Sequence, residues 1–129
     1  MAHRFIADSP GLARSPSPIS QAVVAGTHCY VSGQLAVDAS GAFHAGSARM
    51  EAEQAFRNVF AATEAAGFSR GDIVYVDIAF VDLNDVAEVN ALYGELFPPE
   101  RRPARTIYEV AALPYGGRVK VQAVAVRET

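Results

Sequence analysis

The sequence predicts an α+β fold, with a mixed sheet of about six strands and two helices on one face. Three observations carry that reading. Runs rich in branched and aromatic residues stand near both ends of the chain and in its middle. Two longer segments with apolar residues at three-four spacing separate them. Several strand runs are apolar on both faces, and two helices cover only one. Self-association is the simplest cover for the second face, so a homo-oligomer is expected.

The elements follow in order. The stretch "SPGLARSPSPIS" is rich in proline and serine and reads as an irregular loop. The runs "QAVVAG" and "HCYVSGQL" read as two strands, with Gly26 and Thr27 as a tight hairpin turn. In "VDASGAFHAG", Asp38, Ser40 and Gly41 are turn formers. The next segment is helical, because Ala52, Ala55, Phe56, Val59, Phe60, Thr63 and Ala66 recur on one face. Ser47 is placed to cap its start and Gly67 its end. Arg49, Glu53, Arg57 and Glu64 fall on the opposite face.

"DIVYVDIAFVD" is the strongest strand signal, with Asp77 its one internal charge. "LNDVAEVNALYGELF" predicts a second helix burying Val86, Val89, Asn90, Tyr93, Leu96 and Phe97. Asp85 with Glu88 fits a capping box, and Pro98 and Pro99 stop the helix. "ARTIYEVAA" and "RVKVQAVAV" close the chain as two strands, joined by a turn at Pro114 to Gly117.

The chain has 129 residues, half of them hydrophobic and 19% charged, which suits one domain over 1–129 with a single core. No apolar run approaches the ~20 residues of a membrane span. The start, "MAHRFIADSP", lacks the apolar segment of a secretory signal. Cys29 is the single cysteine, so no internal disulfide forms, and a cytoplasmic location is expected. The net charge of −3 and the absence of a basic stripe argue against nucleic acid as a partner. His3, His28 and His44 are isolated and fit no metal spacing. There is no phosphate-binding glycine loop and no nucleophile elbow, so no cofactor is expected.

What is left is a set of polar residues beside strands. Alternation puts Arg105, Ile107 and Glu109 on one face of a strand, the two charges roughly 13 Å apart. An arginine there is either a rim ion pair or an anchor for an anion. Ser32, Gly33 and Gln34 end an earlier strand. Lys120 and Gln122 start the last one, where they either protect an edge or line a cleft.

The stretches "SQAVVAGTHCYVSGQLAVD", "AFRNVFAATEAAGFSRGDIVYVDIAFVDLNDVAEVNALYGELF" and "PARTIYEVAALP" resemble the Rid family, also called YjgF or reactive intermediate deaminase. The resemblance runs from about Pro18 to Arg127. It implies a chorismate-mutase-like fold and a homotrimer with a barrel-like centre and sites in the clefts between subunits. It also implies cofactor-free hydrolysis of 2-imino and 2-enamino acids to 2-keto acids and ammonia. By that resemblance Arg105 grips the substrate carboxylate, Ser32 lies near the substrate, and the backbone at Ile107 polarises the imine.

Two positions depart from the deaminase pattern. Ile19 stands where the deaminases carry a tyrosine, which makes the pocket more apolar and fit for a bulkier or aromatic ligand. Lys120 stands where they carry a water-positioning glutamate. A charged ammonium has no acceptor, so only its neutral amine could take a proton. A lysine beside Arg105 would instead favour a substrate with two anionic groups or a developing oxyanion. Glu109 is a candidate substitute acid, or a partner for an arginine. The alternative function is a non-catalytic binder of small carboxylates that has lost the glutamate. A ribonuclease or translation-inhibitor activity, attributed to some relatives, is disfavoured by the acidic pI.

Overall fold

The computed structural model describes residues 2–128. Eight main elements follow one another: β1 (Arg4–Ile6), β2 (Ala22–Ala25), β3 (His28–Gln34), α1 (Ala48–Ala65), β4 (Ile73–Phe80), α2 (Val86–Leu96), β5 (Ala104–Glu109) and β6 (Val119–Val126). They build one six-stranded sheet in the order β1-β2-β3-β6-β4-β5. Only β4 and β5 run parallel, so the sheet is mixed, and α2 is the crossover between them. The α+β expectation holds. No described helix is long and apolar enough to cross a membrane.

Helix α1 forms as its sequence dictates. Ser47 accepts the Met50 N–H at 3.1 Å, and Gly67 follows the helix at φ +86°, a conformation that suits a residue without Cβ. All seven residues of its apolar stripe are buried. Phe56, Phe60, Tyr93 and Phe97 join α1 to α2 as an aromatic cluster with centroids 4.8–6.0 Å apart. Each such side chain contributes about 1.5–3 kcal/mol by leaving water.

Three local expectations are corrected. β1 lies upstream of both N-terminal runs read as strands, and its three residues are too few to leave a periodic signal. On α2, Asn90 is exposed and Leu92 takes a buried position, because Asn90 turns to Arg105 at the rim. Asp85 makes no capping bond; the turn before α2 is capped by Asp82, which accepts the Asn84 N–H at 2.9 Å.

The two sheet faces differ. Val76, Ile78, Phe80, Val119, Val121, Ala123 and Ala125 point to the helices and are buried. The other face carries Tyr30, Tyr75, Asp77, Thr106, Tyr108, Lys120 and Gln122, and no described element covers it. Tyr30 is 49% exposed there and Tyr108 is 38% exposed. Asp77 Oδ1 is buried without a hydrogen-bond partner among the described residues. Partial burial, and then the Asp77 carboxylate, push the Tyr108 phenol up.

Candidate functional site

A cavity of about 360 Å³ opens where the loop before β2 crosses the ends of β3 and β6. Ile19, Ser32, Gly33, Lys120, Arg14 and Tyr115 are among its lining residues. The loop is tied down by amides. Gln21 Nε2 donates to Ala13 O at 2.8 Å, Gln34 Nε2 donates to Gln21 Oε1 at 2.8 Å, and Gln34 Nε2 also lies 3.1 Å from Ser32 O. Both glutamines are buried. From the helix side, Asn58 Nδ2 donates to Leu35 O at 3.0 Å and Val37 O at 2.7 Å, fixing the backbone just past β3.

Within this frame the functional groups have defined capacities. Ser32 Oγ donates to Ser20 O at 2.6 Å, so its proton is used and its lone pairs are free to accept from a ligand or a water. The Lys120 stem lies across Gly33. A Cβ at residue 33 would stand 2.9 Å from Lys120 Cδ, so glycine leaves the space that the lysine fills. Ile19 is 48% exposed. Asp38 also lines the cavity, but its carboxylate is engaged by Ser40, Ala42 and His44. Those bonds hold its pKa well below the ordinary 3.8.

Arg105 lies elsewhere. It is half-buried on β5, at the far edge of the sheet and on its helix-facing side. Its Nη1 donates to Asn90 Oδ1 at 2.7 Å, and its guanidinium sits 4.7 Å from the Tyr93 ring centroid. No carboxylate pairs with it among the described residues. The guanidinium is thus oriented by two uncharged neighbours. Burial pushes the Tyr93 phenol up, against the nearby Arg105 and Arg102 charges.

Ile107 is half-buried on the same side and packs against the core. The Val110 N–H donates to Phe80 O at 2.7 Å, across the β4–β5 seam. Alternation then turns the Ile107 N–H and C=O outward, along the open edge of the sheet. Glu109 does not pair with an arginine; its Oε1 accepts the Leu83 N–H at 3.1 Å and supports the turn before α2.

One protomer therefore brings Ile19, Ser32 and Lys120 together but not Arg105. Lys120 lies opposite Ala79, and Arg105 opposite Val76 across the next seam. Two strand spacings and three residues separate them by roughly 14 Å in the plane of the sheet, on opposite faces. The two-cation cleft expected from Arg105 and Lys120 is not formed within one chain. Sequence reading missed Arg14, which lines the cavity from an irregular loop, and Tyr115, which sits in a turn; neither lies in a periodic pattern.

The model of the family described as Endoribonuclease L-PSP matches residues 13–127. A bovine protein, 2-iminobutanoate/2-iminopropanoate deaminase, is 42% identical over 111 residues, covering 85% of this chain and 80% of that one. Among solved structures, the YjgF gene product of E. coli superimposes with a TM-score of 0.87 at 36% identity, covering 97% of this chain and all of that one. E. coli TdcF, solved with bound serine, superimposes with a TM-score of 0.87 at 32% identity and the same coverage. With a match spanning nearly the whole chain, relatives that include imine deaminases and a shared fold, this chain belongs to the YjgF, or Rid, family.

Proposed function

We propose that this protein is a cofactor-free hydrolytic deaminase of 2-imino and 2-enamino acids. Arg105 anchors the substrate carboxylate through a bidentate contact. One observation carries the reading: Arg105 is oriented by Asn90 and Tyr93 and pairs with no carboxylate among the described residues. Water adds to the imine carbon as the C=N π pair moves to nitrogen. A proton then passes to nitrogen, the C–N bond breaks, and the products are a 2-keto acid and ammonia. The outward N–H of Ile107 is suited to polarising the reacting group, and the lone pairs of Ser32 to orienting the water. An ammonium at Lys120 has no acceptor and cannot act as the general base that activates the water. Glu109 acts through the backbone turn that it supports.

Since Arg105 and the Ser32–Lys120 cavity lie on opposite faces of one sheet, the working site joins Arg105 of one copy to the cavity of another. The uncovered sheet face supports a homotrimer closed around it. A protein confined to small carboxylate binding is the second reading. It is favoured by Lys120, which lacks the acceptor that a general base needs, and by the serine held in the related TdcF.

The test is ammonia release from 2-imino acids made in situ by an amino-acid oxidase, with semicarbazide trapping free imine. Wild type competing with the trap while Arg105→Ala does not is the expected result. Saturable keto-acid binding without competition would replace the enzyme by the binder.

A further inference from the structure

We propose that the cavity selects substrates whose side chain is aromatic or large and apolar, with the Tyr115 ring as the wall that reads it. This inference rests on the deaminase reading of the same cavity and adds the substrate class to it.

Size is the first observation. The cavity holds about 360 Å³. A three-carbon imino acid has the bulk of roughly three or four waters at ~30 Å³ each, about a third of the space that one chain leaves for the ligand and for the Arg105 side chain of a second copy. Its lining mixes polar residues, Lys120 and Ser32 among them, with apolar surface that includes Ile19 and Tyr115. Ile19 is 48% exposed and Tyr115 53% exposed, so both have apolar area that a ligand side chain would cover.

Rigidity is the second. Tyr115 has φ +63° and is the one non-glycine residue at positive φ among the described residues. A residue whose backbone is held in that region persists where its surroundings fix it, a condition common at ligand clamps. The surroundings here are specific. The Phe43 ring stacks on Tyr115 with centroids 5.3 Å apart and planes 12° apart. Behind them Glu51, 2% exposed, binds both supporting arms: its Oε1 accepts the Arg118 N–H at 2.8 Å and its Oε2 the Gly46 N–H at 3.4 Å. The tyrosine is thus a flat surface positioned by its own neighbours.

The experiment measures two ratios on the full chain. The first is kcat/KM for the imine of phenylalanine against that of alanine, each generated by an amino-acid oxidase and read against semicarbazide. The second is the calorimetric affinity for phenylpyruvate against pyruvate, which needs no turnover. Wild type should favour the aromatic member of each pair by about tenfold or more. Tyr115→Gly removes the ring and relieves the positive φ, so the fold is kept; both ratios should fall about tenfold, and Tyr115→Phe should restore them. A wild-type preference for the small member, or ratios unchanged in Tyr115→Gly, overturns the inference. If neither imine is turned over, the deaminase reading fails, and the binding ratio alone still decides whether Tyr115 selects the aromatic side chain.

Discussion

The β5 edge of the sheet and the ends of its central strands, β3 and β6, carry complementary features. At β5, Arg105 is a cation fixed by an amide and a ring, beside a strand edge with free backbone groups. At β3 and β6, a cavity is framed by buried glutamines and lined by Ser32, Lys120 and Ile19. The first half has charge and direction without enclosure. The second has enclosure, with the lysine stem laid across Gly33. Neither alone offers both a fixed cation and an enclosure, and the proposed assembly of copies would bring the two together.

Changes at the rigid half should have the largest effect. Arg105→Ala removes two charge-assisted contacts of about 1.5–3 kcal/mol each, so kcat/KM should fall roughly 10²-fold or more. Arg105→Lys should recover little of it, since an ammonium lacks the planar fork. Initial rates with and without semicarbazide measure both. At the cavity, Lys120→Glu introduces an acceptor where the deaminases carry one. Turnover of 2-iminopropanoate should rise at least about tenfold, toward the 10² to 10⁴ that a placed acid–base group contributes.

Smaller effects separate orientation from charge. Asn90→Ala leaves Arg105 charged but loosens it, and should raise KM by about threefold to tenfold with kcat little changed. A KM that does not move would mean that Tyr93 alone orients the guanidinium. The smallest effect is expected at Asp38, whose folded pKa is depressed by Ser40, His44 and Ala42. Its contribution to stability is present above the ordinary 3.8 and is lost as pH falls through the lower folded value. Asp38→Asn should therefore lower the urea midpoint slightly at pH 7 and leave it unchanged in strong acid.

The periodic parts of the fold were legible in the sequence. The α1 stripe, its Ser47 cap, the β4 run and the hairpin at Gly26 each depend on residues a few positions apart. The place of Arg105 on a strand was legible too, because a charge at the mouth of an apolar run is conspicuous. The relations around it were not. Asn90 was read as a core residue, yet it binds Arg105 fifteen residues away. Glu51 falls in the first turn of α1 like an ordinary helix carboxylate, yet it is buried and reaches Arg118, sixty-seven residues away. Such contacts depend on how the sheet closes, and no local period encodes them. The separation of Arg105 from Lys120 was hidden for the same reason: alternation gives the face within each strand, but strand order decides which faces meet.

Complementation between two inactive chains tests the shared site most directly. Arg105→Ala keeps the cavity, and Gly33→Leu fills the cavity while keeping Arg105. Each is checked for folding by circular dichroism, then the two are unfolded, mixed in equal amounts and refolded together. If each site joins Arg105 of one copy to the cavity of the next, random assembly restores about one quarter of the wild-type activity. If both halves of a site came from one chain, the mixture would stay as inactive as its parents, and the account would be wrong.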